Sequence, residues 1–157
     1  MSARRSAAGV VLALAAFTAG CGGKHASSPA GTTIARGEAP ACQLLLARLE
    51  RVTIALRTSS ELIAHSLNKR QLSHRIAIEQ VQLHRSARLM AAGPVPTSLL
   101  AADRSLVAGL RAFARDFARA KTSASRGDFA AATAAMTDPP VVRRILAAAR
   151  TIERTCA

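Results

Sequence analysis

Three cysteines (Cys21, Cys42 and Cys156), four histidines and a large excess of arginine are the groups in this chain that could do chemistry. Metal binding needs His, Cys or carboxylate groups at ligand spacing, such as i, i+4 on one helix face. His65, His74 and His84 have no such spacing. On ideal helical geometry His74 and His84 diverge by about 80°. They are read as solvated surface residues, as is His25 beside Lys24. No CxxC, CxxCH or HExxH is present, no Gly-rich phosphate loop follows a strand, and no Ser–His–acid set stands in a recognisable context. No catalytic residue, metal or cofactor is expected. Glu79 is the one unusual acid. Its helical position falls near the Leu72/Ile76/Leu83 stripe, which predicts a rim carboxylate partnered by Arg75 one turn earlier, or a group in a polar cavity.

Arginine outnumbers lysine nineteen to three, and the net charge is +13. Arg104, Arg111, Arg115 and Arg119 share one helix side within about 80° of one another. Arg143, Arg150 and Arg154 form a second such group. Tyr and Trp, the usual base-stacking platforms, are absent, so nucleic acid is not the expected partner. Anionic lipid head groups or cell-wall polymers are the expected acidic neighbours, with a solvated outer face as the plainer reading.

The elements that must position these groups begin with an address. In "MSARRSAAGVVLALAAFTAGC", Arg4 and Arg5 form a positive n-region and residues 7–17 an apolar h-region, too short to span a bilayer. The end of this stretch resembles the bacterial lipoprotein signal, with Ala19, Gly20 and Cys21 at matching positions and Thr18 where Leu is usual. The resemblance implies a signal peptide over 1–20 and a thioether-linked diacylglycerol on Cys21, the first residue of the mature chain. Two acyl chains anchor where one does not. "SAAG" after the arginine pair lacks the large apolar positions of a twin-arginine signal. Residues 21–38 hold the lipidated Cys and a Gly/Ser/Thr/Pro-rich flexible tether.

Residues 39–157 read as one helical domain. Pro40 opens a first helix after Glu38, with Cys42, Leu45, Leu49, Val52, Leu56 and Ile63 on one face. It extends to about Leu67, with a potential break where Thr58 and Glu61 have capping-box spacing. A second helix over 69–92 carries two apolar stripes, Leu72/Ile76/Leu83/Met90 and Ile78/Val81/Leu89, as expected of a helix covered on two sides or facing a partner. Pro94 and Pro96 stop it. The third, over 97–125, has the seam Leu106, Leu110, Phe113, Phe117 and Ala120. A short helix over 128–136 follows. Asp138 then caps a last helix over 139–156, with Val142, Ile145, Ala149, Ile152 and Cys156 inward.

The expected architecture is an all-α, up-down-up-down four-helix bundle. In that topology the first and fourth helices are neighbours, and the start of one lies beside the end of the other. Exported proteins meet an oxidising environment. A Cys42–Cys156 disulfide follows, and it requires an even number of passes, so that 128–136 is a cap or part of the fourth pass.

The whole pattern resembles small lipoproteins of actinobacteria: Cys21, the tether, Gly127–Asp128 before an Ala-rich segment, and an Ala-rich final helix ending in Cys156. The resemblance implies location and fold. The expected role is that of a membrane-anchored, exported, non-enzymatic protein on the extracytoplasmic face, contacting an anionic envelope surface or a protein partner. The other reading is a bundle that binds a small ligand: lipid, metal or haem.

Overall fold

A computed structural model describes the chain from Glu38 to Ala157. Residues 1–37, with the expected signal peptide, Cys21, His25 and the expected tether, lie outside the described residues. The described part is an all-α bundle: α1 (Ala39–Ala64), α2 (Lys69–Ala91), α3 (Leu100–Arg126), the short α4 (Phe129–Met136) and α5 (Pro139–Cys156). A single 3₁₀ turn, Thr97–Leu99, leads into α3.

The helix ends follow local chemistry. Pro40 sits in the first turn of α1. Glu38 does not cap that helix; its carboxylate accepts from the Thr97 backbone N–H at 2.8 Å, fastening the start of α1 to the α2–α3 connection. Asn68, Asp128 and Asp138 cap α2, α4 and α5 by accepting from the backbone N–H three residues on. Gly127 ends α3 with φ 87°, in the left-handed region that glycine enters without a Cβ penalty.

α1 is one helix. It continues unbroken through Thr58–Glu61, so the capping-box spacing there is not used. Ser59 is buried within this stretch, and Leu56 before it and Ile63 after it keep the inner stripe going. α2 buries chiefly its first stripe: Ile76, Leu83 and Met90 are fully covered, whereas in the second stripe Leu89 packs partly against the core and Ile78 and Val81 are exposed.

Short connections place the four long helices up-down-up-down, with α2 between α1 and α3 and α5 between α3 and α1. α4 folds back on the end of α3 as a cap rather than making a fifth pass. The core contains Leu45, Ile76, Leu83, Leu110 and Ile152, and alanines such as Ala87, Ala114, Ala120 and Ala124 complete it. Small residues let helix axes approach closely, which supplies dispersion contact that a core poor in aromatics would otherwise lack. Phe113 and Phe117 meet edge to face at 4.9 Å. At one end, Cys42 and Cys156 are joined, with their Cα atoms 5.3 Å apart.

Candidate functional site

α1 and α5 do not close along their length. The disulfide holds them together at one end, and beyond it they leave an apolar cleft of about 510 Å³. The wall from α1 is Leu49, Val52, Thr53 and Leu56; that from α5 is Val142, Ile145, Leu146 and Ala149. Leu106 and Phe113 of α3 close the floor. Glu50, Ile54 and Arg57 of α1 stand at the mouth, where Ile54 is 51% exposed. The size and lining are those of a small-molecule site, predominantly apolar with a few polar groups at one edge.

The cleft arises from where α5 is held. Gly109 lets α5 lie against α3: a Cβ there would stand 2.7 Å from Ile145 Cγ1. α1 is meanwhile held toward α2. Arg48 of α1 is buried and donates to the Met90 carbonyl at 3.3 Å and the Pro94 carbonyl at 2.7 Å, beyond the last turn of α2. The first bond satisfies a carbonyl that the end of α2 leaves without a partner, and the second ties α1 to the connection beyond it. Gly93 makes room for that guanidinium, since a Cβ there would overlap Arg48 Nη1. Thus α5 is drawn to α3 and α1 to α2, and the fourth side of the square stays open.

Cys42 and Cys156 are brought together; Cys21 lies outside the described residues. Arg104, Arg111, Arg115 and Arg119 are all exposed along α3. Arg119 donates to the buried Asp116 carboxylate at 2.6 Å, so part of its charge is already paired. His65, His74 and His84 are exposed, and among the described residues no three His, Cys, Asp or Glu side chains gather as a metal site. A basic recess that the sequence reading did not anticipate is lined by Lys69, Arg70, His74 and Lys121, with Ser73 and Ser125. It lies at the end of the bundle opposite the disulfide.

Glu79 is not a rim residue. It is 2% exposed, and Arg75 turns away to donate to the Leu62 carbonyl near the end of α1. Burial pushes the Glu79 carboxyl up to about 7, against a partial offset from the Ser59 hydroxyl of α1, and its Oε2 has no partner. Asp103 and Asp116 are also raised by burial, with Arg48 and Arg119 respectively acting in the opposite direction.

The cleft and Arg48 were missed at the level of sequence, and of the two readings of Glu79 the rim pair with Arg75 does not form. Two signals were available. Leu46 and Ile54 lie off the inner stripe of α1, widening its apolar arc, and Arg48 falls beside the Leu45/Leu49/Val52 seam. No helix among the described residues is long and apolar enough to cross a membrane. No known family model matches the chain, and no curated protein or solved structure matches it.

Proposed function

We propose that the chain is an exported lipoprotein, anchored by acylated Cys21, whose bundle makes non-catalytic contact with an anionic envelope surface. The observation that carries the contact is the exposed arginine side of α3. Arg104, Arg111 and Arg115 are solvated there, and Arg119 alone of the four is ion-paired among the described residues. The basic recess at Lys69, Arg70 and Lys121 extends positive charge to the end away from the disulfide, and so away from the point where the tether joins. Residues 21–157 carry +11, which favours anionic partners over the whole surface. The anchor rests on Arg4–Arg5, the apolar run and Ala19-Gly20-Cys21, and the disulfide agrees with an oxidising compartment.

Metabolic labelling with an alkyne fatty acid tests the anchor. Label on the wild-type chain, lost together with membrane association in Cys21→Ser, is expected; label retained in Cys21→Ser overturns it. Flotation with vesicles or pelleting with cell-wall polymer tests the contact. Neutralising Arg104, Arg111 and Arg115 to Gln is expected to abolish binding that weakens as salt rises through the 0.1 M range, where the screening length falls to about 10 Å.

A further inference from the structure

We propose that the α1–α5 cleft is a binding site for one long-chain fatty acid, its alkyl chain along the floor and its carboxylate at the arginine-flanked mouth. This goes beyond the surface-contact reading and does not depend on Cys21 being acylated. The interior is aliphatic apart from Phe113 and the half-buried Thr53, whose hydroxyl is already donated to the Leu49 carbonyl at 3.0 Å. A ligand body placed there meets no unpaired polar side chain and needs none. An apolar cleft left to water forfeits the free energy of covering that surface, roughly 25 cal/mol per Å².

Shape narrows the occupant. The cleft runs from Leu49 to Arg57 on α1, a length of about 12 Å at the helical rise. Beyond its Leu49 end, a disulfide holds the two backbones 5.3 Å apart at Cα. An α-helix with side chains is about 10 Å across, so a partner helix or a second copy of this chain would have to force α1 from α5 against that link. A single alkyl chain folded back on itself needs no such opening, since the cleft volume of about 510 Å³ holds a chain that its length would not take fully extended. Charge narrows it further. Arg57 stands at the mouth, and Leu146 on the facing wall is flanked at i−3 and i+4 by the exposed Arg143 and Arg150. Within the lining Arg57 is matched by Glu50, and beside Leu146 the two arginines outnumber Glu153, the acid one turn beyond Arg150, so an anionic head is favoured over a cationic one.

The test is displacement of a fluorescent fatty-acid analogue from the full chain by palmitate, by palmitate methyl ester and by phospholipid vesicles. One-to-one binding of palmitate is expected. Ala149→Leu, which fills the cleft from α5, and Thr53→Leu, which fills it from α1, should each weaken it about tenfold or more. Arg57→Gln should weaken palmitate and leave the methyl ester unchanged. Circular dichroism and thermal melting identify any variant that has lost its fold, and two fillings from opposite walls keep the test open if one fails. The proposal is overturned if palmitate does not bind, if a folded cleft-filled variant binds as well as wild type, or if acid and ester respond equally to Arg57→Gln. It is also overturned if only vesicles compete, or if the chain dimerises with Thr53 and Leu146 protected.

Discussion

The α2–α3 interface and the α1–α5 interface join helices of similar pattern and end differently. α2 and α3 share the longest contact in the bundle, along Ile76, Leu83, Leu110 and a series of buried alanines. α1 and α5 touch over a short stretch near their disulfide and then part around the cleft. Each of the four helices has an apolar face, so hydrophobicity alone does not explain the difference. Small residues do. Alanines along α3 bring its neighbours in, and Gly109 lets α5 lie against α3 at Ile145, at the expense of the side facing α1. Where α2 meets α1 the packing is tight enough to keep a carboxyl, Glu79, out of water; the α1–α5 side depends on a covalent link.

Removing that link is expected to have the largest effect. The disulfide spans 114 residues of sequence. In the chain-entropy account a loop of this size is worth about 4–5 kcal/mol, a large share of the 5–15 kcal/mol that holds a typical domain together. Cys42→Ser with Cys156→Ser should lower the denaturant midpoint accordingly. Amide exchange should then accelerate first along the facing parts of α1 and α5, while α2 and α3 keep their protection until global unfolding. Equal loss of protection in all four helices would mean that the two interfaces do not differ in strength.

Next comes the buried acid between α2 and α1. Glu79 titrates near 4.5 ordinarily and near 7 in the fold. Between those values the folded chain holds the proton that the unfolded chain releases. The contribution of Glu79 to stability is therefore greatest below pH 4.5, declines as pH rises toward 7, and is level above. The decline is about 3 kcal/mol at one pH unit per 1.36 kcal/mol. Because other groups titrate over the same range, the readout is the difference between wild type and Glu79→Gln in urea unfolding at each pH. That difference should move against the wild type from pH 4.5 to 7 and then stop moving. A constant difference would place the Glu79 carboxyl in water.

Which parts of this contrast could be read in the sequence follows from what periodicity encodes. Apolar spacing marks which face of a helix is buried, and it located the α3 and α5 seams. Capping chemistry at Asp138 and the glycine at 127 located helix ends. The Cys42–Cys156 pairing followed from antiparallel passes, because helix direction alternates regardless of side-chain detail. The distance between two buried faces is not periodic information. It depends on which small residue meets which large one across a gap, as Gly109 meets Ile145. The burial of Arg48 likewise depends on the carbonyls of Met90 and Pro94 arriving beside it from another helix. Arg75 lies one turn from Glu79, a spacing that suits a rim pair, yet Arg75 bonds to α1 instead. Local spacing offers a partner; tertiary contact chooses one.

The smallest expected effect is the most direct test of why the cleft stays open. Gly109→Ala should gain about 1 kcal/mol from helix propensity. In this bundle that gain is opposed, because the new Cβ would meet Ile145 Cγ1 at 2.7 Å and α5 would have to shift from α3. Such overpacking costs typically 1–3 kcal/mol, so the net expectation is a loss of about 1 kcal/mol. With Ile145→Ala as background the obstructing atom is gone, and the same substitution should stabilise. A change of sign between the two backgrounds, read as a coupling free energy in a double-mutant cycle, would locate the control of the α1–α5 gap in the α3–α5 approach. Gly109→Ala stabilising both backgrounds equally would show that α5 is free to move, and would leave the disulfide alone to account for the difference between the two interfaces.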